Sequence, residues 1–109
     1  MDLLTVFTTV ATREQADELA HAAVEQRLAA CVQVEAIQST YRWQGAVASE
    51  PEVRLLFKTS RAVYPALEAL LRERHPYELP AIYALPVIAG TAEYGAWVRD
   101  ALAEPTPRS

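Results

Sequence analysis

The chain has one cysteine, three glycines, one methionine and two histidines in 109 residues. A lone Cys31 excludes any disulfide within the chain, and that usage fits a reducing, cytoplasmic setting. Gly45, Gly90 and Gly95 are too few and too scattered to begin a glycine-rich phosphate loop, so nucleotide chemistry of that kind is excluded. No long apolar run occurs. The stretch Leu3 to Val10 is too short to span a bilayer and follows the acidic Asp2, so neither a membrane span nor an export signal is expected. Basic runs are also missing: the net charge is −4 and the ten Lys and Arg residues are dispersed, which argues against a nucleic-acid footprint.

What is present describes a globular domain. Hydrophobic residues make up 51% and charged residues 22% of the chain, near the averages for folded proteins. At this length about two-thirds of the unfolded surface is expected to be buried in one core. A single domain over residues 1–103 is predicted, with 104–109 a frayed Pro-containing tail. Cys31 sits within Leu-Ala-Ala-Cys-Val, which favours a buried apolar thiol over a reactive one.

Residues 3–10 are rich in β-branched side chains and predict a strand. It hands over at Thr12-Arg13-Glu14-Gln15, a capping box, to an amphipathic helix with Ala16, Leu19, Ala20, Ala23, Val24 and Leu28 inward. On its outer side His21 lies one turn from Asp17 and from Glu25; a cation site can be drawn there, but a solvated helix face is the favoured reading. Cys31 to about Val47 predicts one very long strand. Its alternation changes phase, with Val32, Val34 and Ala36 on one side and Ile37, Ser39, Tyr41 and Trp43 on the other, which predicts a bulge or bend near Ala36.

Ala48-Ser49-Glu50-Pro51 predicts the turn and Glu52 to Thr59 the return strand. That pairing leaves Cys31 to about Gln38 unpartnered on an arm of ~55 Å, so a homo-oligomer joined partly through strand edges is inferred. A second helix follows with Val63, Leu67, Leu70 and Leu71 inward, closing at His75-Pro76. Ala81 to Ile88 predicts a fourth strand, restricted by Pro86 to an edge or bulge. Thr91 predicts the cap of a last helix with Tyr94, Trp97, Val98, Ala101 and Leu102 in one stripe, weakened at Gly95 and so held by packing. The order is that of an α+β, ferredoxin-like split β-α-β sandwich: βαββαβ plus a C-terminal helix, both main helices on one face of an antiparallel sheet.

Three constellations bear on chemistry. Ser39 or Ser60 could be set beside His75, but no nucleophile elbow surrounds either serine, so hydrolysis is not expected. His75-Pro76-Tyr77-Glu78-Leu79-Pro80 brings an imidazole, a phenol and a carboxylate together; a rigid corner is favoured over a divalent-metal site. Tyr41 and Trp43, with Lys58 opposite, could stack a nucleic-acid base, but in an acidic chain they fit aromatic anchors of a subunit interface better.

Leu28-Ala29-Ala30-Cys31-Val32, Tyr41-Arg42-Trp43-Gln44-Gly45, Phe57-Lys58-Thr59, the His75–Pro80 block, and Ala84-Leu85-Pro86-Val87 followed by Tyr94 and Trp97 together resemble the CutA family of divalent-cation-tolerance proteins. The resemblance runs in order from about Leu3 to Leu102. It implies a ferredoxin-like subunit, a PII-like homotrimer, and a cytoplasmic role in tolerance to copper and other divalent metals, without an established enzyme activity. It also implies ligand sites in clefts between subunits, for which Tyr41, Trp43, Lys58, Tyr77 and Glu78 are the candidates, with His75 the candidate metal ligand.

The pattern is incomplete. Thr8 stands where some bacterial members have a cysteine assigned to copper, and Arg74-His75 where they have two histidines. Ala81 replaces a frequent glutamate, and Glu35-Ala36 replaces a frequent Pro-Gly. High-affinity copper binding is therefore not expected; weak binding of Cu2+ or another divalent ion by His75, with Glu78 or a neighbouring subunit, is. The alternative is a non-catalytic trimeric scaffold that docks a partner protein and has no metal site. An enzyme using His75 as general base is a third class, given least weight.

Overall fold

The computed structural model describes residues 2–103, so the tail expected at 104–109 lies outside the described residues. The elements are β1 (Leu3–Val10), α1 (Arg13–Glu25), β2 (Cys31–Trp43), β3 (Ala46–Ser60), α2 (Tyr64–Arg74), β4 (Ile82–Pro86) and α3 (Ala92–Ala101). The strands form one antiparallel sheet in the order β2-β3-β1-β4. This is the expected split β-α-β arrangement, with Pro86 at the end of an edge strand, where its missing N–H costs little.

Alternation along the strands decides what is buried. Leu4, Val6, Thr8 and Val10 of β1 point to one side together with Leu55, Phe57 and Thr59 of β3, and all are buried. Ala16, Leu19, Ala22 and Ala23 of α1 and Leu67, Leu70 and Leu71 of α2 close the core over them. Val24, expected inward, is 43% exposed, because Ala22 occupies the buried stripe instead. The capping box is formed: the Gln15 amide donates to Thr12 Oγ1 at 3.2 Å, and Gln15 Oε1 accepts from the Thr12 amide at 3.3 Å.

On the other side of β1, Leu3 packs with Val98 of α3, with Leu102 just after that helix and with Val63, a second small core. Only Val98 and Leu102 of the predicted α3 stripe are buried; Tyr94 and Trp97 stack on each other in solvent, ring centres 6.2 Å apart. The Arg27 guanidinium holds the end of α3, donating to the Asp100 and Ala101 carbonyls at 2.7 and 3.1 Å, which otherwise lack helical partners. Gly95 is buried, and a Cβ there would meet the Arg99 guanidinium at 3.3 Å, so the glycine lets that side chain lie against the helix.

The hairpin corrects the sequence expectation. Its turn is Gln44-Gly45, with φ of 49° and 81°, the two positive values of a type I′ connection. Ala48 to Pro51 are inside β3, and every residue from Cys31 to Trp43 has a β3 partner in unbroken one-to-one register. No segment of β2 lacks a partner from the hairpin, so the strand-edge argument for an oligomer fails in that form. No bulge occurs at Ala36, which pairs with Val53. The phase change is real but has another cause: the helices stop covering the sheet there, and burial transfers to Ile37 and Ser39 on the opposite face.

What remains is an overhang. β1 ends opposite Val53, so Ala46 to Glu52 pair only with β2 and project as a two-stranded ribbon. The chain measures 47 × 32 × 23 Å with a radius of gyration of 14.9 Å, against about 13 Å for a compact domain of this length. At Gly45 there is open space for a methyl group, so the backbone angle alone requires glycine. Gly45→Ala is expected to cost about 1–2 kcal/mol; an unchanged urea-unfolding midpoint would contradict the turn assigned here.

Candidate functional site

The α2–β4 connection starts on the helical side of the sheet and reaches the opposite face, and His75 anchors it. The Tyr77 amide donates to His75 Nδ1 at 3.1 Å, and an N–H can only donate, so the ring proton sits on Nε2. Nε2 in turn faces the Thr9 carbonyl at 3.0 Å and Thr8 Oγ1 at 2.9 Å. One neutral ring thus ties two residues of β1 to the connection. Burial holds the imidazole below its usual titration range, opposed by the Thr9 carbonyl and the Glu52 charge.

Beyond His75, Tyr77 crosses to the ribbon and its hydroxyl donates to Glu52 Oε2 at 2.8 Å. Burial, then the bond to Glu52 and its charge, raises the Tyr77 phenol well above its ordinary range, so it is a permanent donor. The two aromatic rings are 5.0 Å apart and tilted by 59°. Tyr77 therefore spans the gap between the connection and the overhanging ribbon.

Between them lies a cleft of about 810 Å³, whose walls include Tyr41, Trp43, Glu52, Tyr77, Glu78 and Tyr83. The Tyr41 phenol is raised by its partial burial and by the nearby Glu50 carboxylate. Arg54, also on the wall, is engaged by Glu35 directly across the ladder at 2.7 Å. Four of the five residues expected at a ligand cleft, Tyr41, Trp43, Tyr77 and Glu78, converge here.

The fifth does not. Lys58 pairs in register with Cys31, ten residues along β2 from Tyr41, a separation of about 33 Å by strand rise. It lines a different cavity, with Leu3, Val87 and Tyr94. The base-stacking arrangement of Tyr41, Trp43 and Lys58 is therefore not formed in one chain. The sequence expectation placed Lys58 opposite the aromatic pair because it set the turn several residues late.

His75 lies behind the cleft rather than on its surface. Both its ring nitrogens are engaged, its neighbour Thr8 offers a neutral hydroxyl that is fully buried, and the described residues contain no group of three or more His, Cys, Asp or Glu able to hold a metal. The described residues of this chain do not fit a resident copper or zinc ion at His75. His21 is likewise committed: it meets Glu25 at 2.8 Å in solvent, while Asp17 pairs with Arg13 at 2.9 Å. Ser60 Oγ accepts the Val63 amide at 3.2 Å, and the His75 ring is bonded to Thr8, Thr9 and the Tyr77 amide, with neither Ser39 nor Ser60 among its hydrogen-bond partners. Cys31 is a half-buried free thiol on the face opposite α1 and α2. Glu52 is not singled out by the sequence reading, which takes it only as the first residue of the return strand after the expected turn Ala48-Ser49-Glu50-Pro51.

Fold and cleft together define a ferredoxin-like α+β domain with an overhanging hairpin and an aromatic, carboxylate-bearing cleft beside it. The family model described as CutA1 divalent ion tolerance protein matches residues 4–101, and the chain belongs to that family. It is 45% identical over 96 residues to the divalent-cation tolerance protein CutA of Thermus thermophilus, covering 87% of this chain and 93% of that one. It is 43% identical over 95 residues to human Protein CutA, where the match spans 86% of this chain but 53% of the relative; this chain thus corresponds to about half of that protein. The structure of CutA from Synechococcus elongatus superposes with a TM-score of 0.91 at 47% identity, over 94% of this chain and 91% of that one. A second structure of that protein, complexed with Bis-Tris, superposes with a TM-score of 0.87 at 46% identity, over 93% and 94% of the two chains.

The His75 geometry has a pH consequence. Protonation puts a hydrogen on Nδ1, facing the Tyr77 amide hydrogen, and breaks that tie. Because the folded imidazole titrates below its ordinary value of 6.5, the stabilisation is complete above that pH and is lost as pH falls through the lower folded value. The urea midpoint is expected to drop between about pH 7.5 and pH 5, by more than in His75→Gln; equal drops would refute the anchoring role.

Proposed function

We propose that this protein works as a PII-like homotrimer in the cytoplasm, binds a small molecule in the cleft beside the ribbon, and serves divalent-cation tolerance without catalysing a reaction. The observation that carries this reading is the convergence of Tyr41, Trp43, Tyr77 and Glu78 on one concave site of about 810 Å³, a volume suited to a small ligand. The Bis-Tris complex of the related Synechococcus elongatus protein supports small-molecule capacity in a chain with the same fold.

Two features support assembly. Trp43, Tyr83, Leu85 and Trp97 are about half exposed and Ile88 is 89% exposed, more large apolar surface than scattered residues account for. A two-stranded ribbon is also marginal alone and gains from a second surface to lie on. Copies packed around the ribbons would make the cleft a space between subunits, which is the arrangement the family resemblance implies.

The metal part of the role is then indirect. His75 spends both nitrogens on holding the connection, so any Cu2+ bound there has to compete with three hydrogen bonds. The scaffold alternative, in which the same aromatics dock a protein, shares the absence of a metal site and differs in needing contact surface rather than a cavity. The concavity favours the small molecule.

Sedimentation equilibrium is expected to return three times the chain mass of 12.1 kDa; a stable monomer at micromolar concentration would end the proposal. In calorimetric titrations Bis-Tris is expected to bind and Trp43→Ala to weaken it about tenfold or more. Copper and zinc are expected to show no stoichiometric uptake that depends on His75. Tight copper binding abolished by His75→Ala would restore the metal-site reading, and a trimer that binds neither probe would favour the scaffold.

A further inference from the structure

The overhang has a root, and Glu52 stands at it. Val53 is the last β3 residue paired with β1, opposite Val10; Glu52, next out, pairs only with Ile37 of β2. Trp43, whose partner is Ala46, lies six residues further along the ribbon, about 20 Å by strand rise. A small tilt at Glu52 therefore becomes a displacement of several ångströms at the aromatic wall of the cleft, and two strands alone are too marginal to resist it.

One cross-link sits at that root. The Tyr77 hydroxyl donates to Glu52 Oε2 at 2.8 Å, and the Tyr77 amide is bonded to His75, whose ring reaches Thr8 and Thr9 of β1. The first ribbon residue beyond β1 is thus tied back to β1 through the connection, where backbone pairing has stopped. Arg54, the next residue on the same side of β3, is bonded to Glu35 at 2.7 Å, which leaves the Glu52 carboxylate to Tyr77. A phenol–carboxylate bond is charge-assisted and so among the stronger single bonds available. The Tyr77 phenol, raised well above its ordinary range, stays protonated to make it. Both partners belong to one chain, so no group of a neighbouring copy is needed to complete the bond.

We propose that Glu52 is a positioning residue of the cleft: by accepting the Tyr77 hydroxyl it fixes the angle at which the ribbon leaves the sheet, and so holds Tyr41 and Trp43 at the spacing a ligand needs. Its carboxylate acts through Tyr77, not on the ligand. The effect on affinity rests on the small-molecule reading of that cleft; the effect on the ribbon does not.

The test is a double-mutant cycle followed by calorimetry with Bis-Tris as the probe, beside amide hydrogen exchange of the same proteins without it. Tyr77→Phe and Glu52→Ala are each expected to weaken Bis-Tris binding about tenfold, and the double variant no further than either alone, since both break one bond. Glu52→Gln is expected to recover most of the affinity lost in Glu52→Ala, because its amide oxygen still accepts the hydroxyl while carrying no charge. In Tyr77→Phe and Glu52→Ala the amides of residues 37–40, opposite the root, are expected to exchange about threefold faster or more, and in Glu52→Gln to stay near the parent rate. Losses that add, or Glu52→Gln as weak as Glu52→Ala, would show the carboxylate acting on the ligand and overturn the positioning role. A parent protein that does not bind Bis-Tris ends the small-molecule reading of the cleft instead, and exchange then decides the tie: faster exchange in Tyr77→Phe upholds it and unchanged exchange overturns it. Should Glu52→Ala not fold, Tyr77→Phe beside Glu52→Gln decides; a tenfold loss in the first with near-parent binding in the second upholds the role, and equal binding in both overturns it.

Discussion

The pairing of β1 with β3 governs this molecule through a mismatch in length. β1 has eight residues and β3 has fifteen, and they are aligned at the Leu3–Ser60 end, so all the excess of β3 emerges at the other. Everything distinctive about the site follows. The ribbon leaves the shelter of α1 and α2, its burial shifts to the opposite face, and a concave space opens between it and the chain that follows α2. A β1 longer by a few residues would fill that space with sheet.

A projecting ribbon and a seven-residue connection would both be loose without a tie, and His75 and Tyr77 supply it. The imidazole is bonded to β1 at Thr8 and Thr9 and to the connection at the Tyr77 amide; the phenol is bonded to the ribbon at Glu52. These bonds run in series from the central strand to the overhang. The same use of His75 explains why a histidine in a family linked to metal tolerance is poorly placed to hold a metal in this chain. Thr8, standing where a thiolate would favour a soft ion, instead gives a hydroxyl at hydrogen-bond distance from the ring.

Much of this was legible in the letters. β1, the capping box of α1, the inward faces of α2, the Thr91 cap and the edge position of Pro86 all follow from periodicity and terminal residues, because these are local effects decided within a few positions. The hairpin was misplaced because Ala-Ser-Glu-Pro carries stronger turn chemistry than Gln-Gly. The outcome was settled instead by register, which pairs Phe57 with both Val6 and Val32 and so aligns three strands at once. Pro51 is tolerated because it lies past the last β1 partner. The error propagated to Lys58, which was set beside Tyr41 and Trp43 when it belongs at the other end of the sheet.

The amino-acid sequence by itself determined the class of fold, the element order and, Glu52 apart, the identity of the residues with chemical potential, since spacing, capping and alternation act along the chain. Tertiary structure alone decided which of those residues share a site. It joined Tyr77 to Glu52, parted Lys58 from both, and used up the nitrogens of His75. The physical reason is that cross-strand register and the path of the 75–81 connection are long-range properties: a shift of a few residues in a turn carries a side chain many ångströms along the sheet while leaving every local pattern intact.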